Sequence, residues 1–148
     1  MEVSLREVTS ENLHEVLALA VSQEQAGYVA SNAKSIAEAH FEPRAWFRAV
    51  VAGEEPVGFV MVERDTAARS FHIWRFMIDA RHQSEGYGRR ALELLLDEAR
   101  SDGVAEVTLC VLPGEHSAFS FYERAGFKAT GELEGTQVVM RLELANPK

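Results

Sequence analysis

The chain has a single cysteine, Cys110, so no intramolecular disulfide can staple it, and one thiol in 148 residues fits a reducing compartment. It lacks any run of about 18 consecutive apolar residues, the length a helix needs to cross a bilayer. Its opening segment, MEVSLREVTSENLHEV, has no basic stretch leading into an apolar one. Neither a membrane span nor a secretory leader is expected, and the expected location is cytoplasmic. Cations are outnumbered: 15 Lys+Arg stand against 23 Asp+Glu, a net charge of −8 at pH 7. Such a surface repels nucleic-acid phosphates and anionic lipid while concentrating cations, so no nucleic-acid or membrane partner is expected. The five histidines have no metal-ligand spacing, which argues against a zinc or other metal site. The four prolines and ten glycines never gather into a linker, and no segment repeats.

What is present is the composition of an ordinary globular protein, with 47% hydrophobic and 26% charged residues. A chain of this length buries about 68–70% of its extended surface on folding, enough to do without cross-links. Residues 1–148 are expected to form one domain. Val3, Leu5 and Val8 suggest a short strand, and Thr9 or Ser10 can cap a helix carrying Leu13, Val16, Leu17 and Ala20. A second helix is expected from Ser31 or Ser35 to His40, with Ile36 and Ala39 inward and Pro43 beyond its end. From Arg44 the period becomes two. Strands at 44–51, 57–63 and 71–78, joined by turns at 53–56 and 65–70, make an antiparallel meander. A helix over 88–100 carries Leu92, Leu95, Leu96 and Ala99 and stops at Gly103. A strand at 106–112, a helix near 117–124 and two strands either side of 132–135 complete the chain. The order β-α-α-β-β-β-α-β-α-β-β defines an α/β fold with a mixed sheet of about seven strands under about four helices.

Between the fourth strand and the third helix stands Asp79-Ala-Arg-His-Gln-Ser-Glu-Gly-Tyr-Gly-Arg-Arg-Ala91. Gly86 and Gly88 let a ligand approach the backbone, and the following helix start offers unpaired N–H groups and the positive end of its dipole. With Arg81, Arg89, Arg90 and His82 nearby in an otherwise acidic chain, the segment suits a phosphate. The plainer alternative is a strand–helix connection whose glycines only make the turn. A mononucleotide P-loop is excluded, because neither the spacing nor the Lys-Ser/Thr ending is present. Gly86-Tyr-Gly88-Arg-Arg-Ala91 formally fits a dinucleotide fingerprint, with Glu106 about 20 residues on. The acid there begins its strand when it should end it, and the preceding strand belongs to an antiparallel meander.

Gln83-Ser-Glu-Gly86-Tyr-Gly88 instead resembles the acetyl-CoA motif Gln/Arg-x-x-Gly-x-Gly/Ala of the GNAT superfamily of N-acetyltransferases. A second family element, a strand followed by a tyrosine-bearing helix and Gly-Phe, is similar to Val111-Leu-Pro113, Ala118 to Tyr122 and Gly126-Phe127. Val29-Ala-Ser-Asn32, Ser35-Ile-Ala-Glu-Ala39, Ile73-Trp-Arg-Phe-Met-Ile-Asp79 and Thr130-Gly-Glu132 resemble bacterial diamine and spermidine/spermine acetyltransferases in particular. Two positions depart from the pattern: Ser84-Glu85 stands where such loops commonly carry Gly-Lys, and Glu115 where many members have an Asn.

The resemblance implies a GNAT-like fold with a bulged fourth strand and acetyl-CoA as co-substrate. It places the cofactor against Phe76, Met77 and Ile78, whose backbone the bulge would free, and against Gln83, Ser84, Glu85, Gly86, Tyr87, Gly88 and Arg89. It further implies direct attack by an amine in a ternary complex, without an acyl-enzyme. Cys110, mid-strand among Val107, Leu109 and Val111, is expected to be a buried small hydrophobe. Tyr122 is the candidate proton donor to the leaving thiolate, the alternative being an aromatic that packs its helix, as Phe119 and Phe121 do. Tyr28, Trp74 and Asp79 are candidate substrate contacts, and Tyr28, Trp46 and Trp74 could wall an amine pocket by cation–π contact. Glu24, Glu38, Glu63, Asp65, Asp79 and His72 are all conceivable bases. The acceptor implied is a small-molecule amine such as spermidine or another polyamine. A protein N-terminus, an aminoglycoside or an amino acid stays open, as does a non-catalytic acyl-CoA-binding regulator. The oligomeric state also stays open, a homodimer included.

Overall fold

The computed structural model describes residues 2–144. Its elements are β1 (Val3–Arg6), α1 (Leu13–Ala18), α2 (Asn32–His40), β2 (Ala45–Ala52), β3 (Glu55–Asp65), β4 (Ser70–Ile78), a 3₁₀ turn (Ala80–His82), α3 (Tyr87–Ser101), β5 (Glu106–Val111), α4 (Phe119–Arg124), β6 (Lys128–Glu134) and β7 (Gln137–Glu143). The seven strands form one sheet in the order β1-β2-β3-β4-β5-β7-β6, antiparallel throughout except for β4 against β5. The mixed sheet and the four helices match the expected order. Ser31 is the residue that caps α2, its Oγ accepting the Lys34 N–H at 3.1 Å.

Helices cover both faces of the sheet, which explains why β3 is apolar at nearly every position. Val60 and Val62 face α3 and pack with Leu92, Leu95, Leu96 and Ala99, whereas Phe59 and Met61 face α1 and α2 and pack with Val16 and Leu19. α3 earns its place by the spacing of Ala91, Leu92, Leu95, Leu96 and Ala99, all buried on one stripe. Truncating Leu95 to Ala there would cost about 2–5 kcal/mol. The far end of α3 is pinned by Arg64 of β3, whose guanidinium donates to both Asp102 carboxylate oxygens at 2.7 Å and lies 5.1 Å from the Trp46 ring. With one end of α3 fixed in this way, its N-terminus is carried to the end of β4. The closing hairpin is tighter than expected: β6 continues through Glu134 and the turn is Gly135-Thr136, because a register shift between Ala129 and Leu133 absorbs the polar residues 130–132.

Candidate active site

β4 and β5 are joined at only two positions, His72 opposite Thr108 and Ile73 opposite Leu109. Beyond Ile73 they part, and a gap opens through the sheet. The cause is a bulge. β3 pairs Met61 with Arg75 but Val62 with Ile73, so Trp74 is an extra residue in β4. An extra residue bends a strand and turns two successive side chains to one side. Trp74 packs among the residues under α1 and α2, and Arg75 reaches Glu38 of α2, its Nη2 donating at 2.7 Å. The bulge therefore lies two residues before the expected Phe76–Ile78 segment, because the register slips at Trp74. Its effect reaches that segment nonetheless. The Asp79 N–H donates to Val57 O at 2.8 Å, and the alternation of an antiparallel ladder then turns the amides of Phe76 and Ile78 away from β3, toward the gap.

At the open end of β4 the chain turns into the loop 79–86. Gln83 Nε2 donates to Ile78 O and to Gln25 Oε1, both at 2.9 Å, so this side chain closes off the last exposed carbonyl of the strand. Ser84 (φ 68°) and Gly86 (φ 83°) are left-handed, a conformation that curls successive N–H groups to one side. No amide from Ser84 to Arg89 donates to an acceptor among the described residues, and α3 has no side-chain cap. The arginines expected to supply charge here are partly spent. Arg81 Nε is held by Asp79 at 2.8 Å, and Arg89 and Arg90 lie 3.7 and 3.2 Å from Glu93. The anion-binding capacity of the loop thus rests chiefly on its backbone. Glu85 is exposed, 3.9 Å from His82 Nδ1.

Tyr122 projects from α4 on the α3 side of the sheet. Ser117, whose Oγ donates to Leu112 O and accepts the Phe119 N–H at 3.1 Å, fastens the start of α4 to the end of β5. The ring of Tyr122 lies 6.1 Å from Phe76, 5.3 Å from Phe121 and 5.7 Å from Phe127. It is buried, and its hydroxyl has no hydrogen-bond partner among the described residues. Burial raises its pKa far above the ordinary phenol value, so the group keeps its proton.

The opposite face is bounded by the segment between α1 and α2. Gln25 touches Gln83, and the Tyr28 ring lies so close over Gly114 that a Cβ there would collide with it. This segment therefore spans from the loop after β4 to the loop after β5. Trp74 stands on this face, whereas Trp46 lies on the other, stacked by Arg48 at 4.3 Å, so the three aromatics do not share one wall. Asp79 is 3% exposed, and its oxygens accept from Ala20 N–H at 2.9 Å and from Arg81 N–H and Nε at 3.2 and 2.8 Å. Burial acts to raise its pKa, but the hydrogen bonds from Ala20 and then Arg81 outweigh that and hold the carboxyl below the ordinary aspartate range. Cys110 is only half-buried and faces away from the α3-side core, with burial raising its thiol pKa. Among the described residues no three His, Cys, Asp or Glu side chains cluster to hold a metal. Gln25, the Arg75–Glu38 pair and the His72–Thr108 contact carry no signal in the sequence, since each joins residues far apart in the chain.

A mixed sheet split between its parallel strands, with a helix N-terminus of free amides at the mouth of the split, is a groove suited to a ligand that carries phosphate. Residues 6–127 match the Acetyltransferase (GNAT) family, and the chain belongs to it: an acetyl-CoA-dependent N-acetyltransferase acting on amines. It is 28% identical over 154 aligned residues, 95% of this chain and 99% of the other, to the spermine/spermidine N(1)-acetyltransferase of Bacillus subtilis (strain 168). Its fold is similar to that of the PaiA N-acetyltransferase from Thermoplasma acidophilum in complex with coenzyme A (TM-score 0.75, 18% identity, 97% of this chain and 100% of that one). It is similar to the same degree to the ribosomal-protein-S18-alanine N-acetyltransferase from Escherichia coli (TM-score 0.75, 18% identity, 99% and 97% covered). No helix among the described residues is long and apolar enough to cross a membrane.

Proposed function

We propose that the chain acetylates a polyamine such as spermidine, with acetyl-CoA entering from the α3 side of the gap and the amine from the α1–α2 side. The observation that carries this reading is the two-sided gap: free amides and Tyr122 lie on one side, and Trp74 with the carboxylates Glu38 and Glu63 on the other. Aromatic faces and carboxylates are what a polycation seeks. The similarity to a spermine/spermidine acetyltransferase over nearly the whole chain supports the same acceptor class.

In this mechanism the amides of Ser84 to Arg89 bind the pyrophosphate at the positive end of α3. The open edge of β4 would hold the pantetheine arm, with the turned-out N–H groups of Phe76 and Ile78 as the donors available to its amides and to the thioester oxygen. Gln83 holds the loop in register with the strand. Asp79, saturated by Ala20 and Arg81, positions the loop and does not touch substrate. The amine attacks the thioester carbonyl, a C–N bond forms and the C–S bond breaks. The departing thiolate accepts a hydrogen bond and then a proton from Tyr122, which burial has kept protonated.

The test is thiol release from acetyl-CoA across a panel of putrescine, spermidine, spermine, an aminoglycoside, amino acids and an N-terminal peptide. Polyamine-stimulated release supports the reading. Release stimulated only by another class overturns the polyamine assignment, and tight acetyl-CoA binding without release for any acceptor favours a regulator.

A further inference from the structure

Of the six candidate bases, His72 alone is both half-buried on the amine face near the gap and without an ionic partner among the described residues. Glu24 is exposed on the segment between α1 and α2. Glu38 is ion-paired with Arg75 at 2.7 Å, and Asp79 is saturated by three donors. Asp65 accepts the Ala68 N–H in the β3–β4 turn, at the far end of the strands from the gap. Glu63 is half-exposed and lies 3.8 Å from Arg44. His72 remains. It is the last residue but one before β4 and β5 part. Because Phe71 and Ile73 point into the α3-side core, its ring stands on the same face as Trp74, the face assigned above to the amine. It is half-buried, and its Nδ1 lies 2.8 Å from Thr108 Oγ1 across the strand junction.

We propose that His72 is the proton acceptor of the transfer, with Nδ1–H donating to Thr108 Oγ1 and Nε2 receiving the proton of the incoming ammonium; this rests on the acetyltransferase reading and on the amine's approach from the α1–α2 side. The protons balance: R–NH₃⁺ gives one to Nε2, the free amine forms the C–N bond as the C–S bond breaks, Tyr122 protonates the thiolate, the second proton lost by the attacking nitrogen restores Tyr122, and His72 returns its own to solvent. Thr108 fixes the tautomer and ring orientation, as a hydroxyl or carboxylate partner does for other catalytic imidazoles. The groups facing the ring are Glu63 from β3 and Glu134 from β6; beyond Thr108 the same cross-strand row continues to Arg141 of β7, itself 3.3 Å from Glu106, and then to Lys128 of β6. Burial lowers the His72 pKa below its ordinary value, and Glu63 and Glu134 pull it back only in part. The ring is thus unprotonated and able to accept at neutral pH. Activity should fall as acid protonates it.

The experiment is kcat against pH at saturating acetyl-CoA and spermidine for wild type, His72→Gln and Glu63→Gln, with acetyl-CoA affinity by calorimetry. His72→Gln should lower kcat at pH 7 by about 10²-fold or more, abolish the acid limb and leave acetyl-CoA affinity nearly unchanged. Glu63→Gln removes a charge that favours imidazolium, so its acid limb should move to lower pH, whatever its effect on the height of the profile. A kcat within about threefold of wild type for His72→Gln, or an unchanged acid limb in that variant, overturns the proposal. Should His72→Gln also lose acetyl-CoA binding, the Glu63→Gln limb decides, and an unmoved limb overturns it. Wild type that acetylates no amine refutes the proposed function itself, and this inference falls with it.

Discussion

Gly86 and Gly88 share the loop proposed to bind the pyrophosphate yet differ in what a side chain would meet there, and replacing each by alanine separates them. At Gly86 the backbone φ is 83° and nothing lies within 4 Å of where a Cβ would stand, so the obstacle is conformational. An L-residue in this left-handed conformation costs about 1–2 kcal/mol. If the loop keeps its shape in Gly86→Ala, the cost appears as lost stability. If it relaxes, its amides lose their common aim, and at about 1.4 kcal/mol per tenfold the same energy is about a 5- to 30-fold weaker acetyl-CoA affinity. At Gly88, within the first turn of α3, a Cβ would meet Ile78 Cγ1 and Phe121 Cε1 at 3.5 Å, ordinary contact. Gly88→Ala should therefore be neutral to stabilising, by up to about 1 kcal/mol, since glycine is costly in a helix. Affinity should stay within about threefold. Calorimetric titration with CoA together with urea denaturation reads both quantities. Equal damage from the two variants, or a neutral Gly86→Ala in both assays, would refute the reasoning.

Gly58 faces Ile78 across the β3–β4 ladder, and a Cβ there would stand 2.5 Å from Met77 O and 2.7 Å from Ile78 Cδ1. Gly58→Ala should cost about 1–3 kcal/mol by overpacking and lower turnover more than a core mutation of equal cost, because it displaces β4 at the gap; urea melts and kcat check this. Asp79→Asn should destabilise by about 1–3 kcal/mol. Its native pKa is depressed, so the lost stability is present above about pH 4 and disappears as acid protonates the carboxyl. The gap between wild-type and variant denaturation midpoints should accordingly be widest at neutral pH and close toward pH 3. Tyr122→Phe should lower kcat by about 10²-fold while acetyl-CoA affinity and stability stay close to wild type. Equal loss of both would make the residue a packing aromatic only.

The strand and helix order was legible because the apolar period changes from helical to two at Arg44 and back at Gly88, and turns carry glycine or polar residues. The conformation of the loop before α3 was legible because it is local, and Gly86 and Gly88 advertise it. Local pattern fails where a contact joins distant segments. The bulge at Trp74 arises from a register slip between β3 and β4, and nothing in Trp-Arg-Phe-Met marks which residue is extra. Arg81 reads as a free cation in the sequence, whereas in the fold it is the partner of a buried aspartate two residues away. His72 reads as one of six conceivable bases, with nothing to set it apart until the strand junction places it against Thr108.

The most direct test of the account is mass spectrometry of the acceptor after incubation with acetyl-CoA and spermidine, run beside thiol release. The account predicts mono-acetylated spermidine formed in step with free CoA. Thiol release unaccompanied by acetylated amine, or none above the rate of spontaneous hydrolysis, would contradict it.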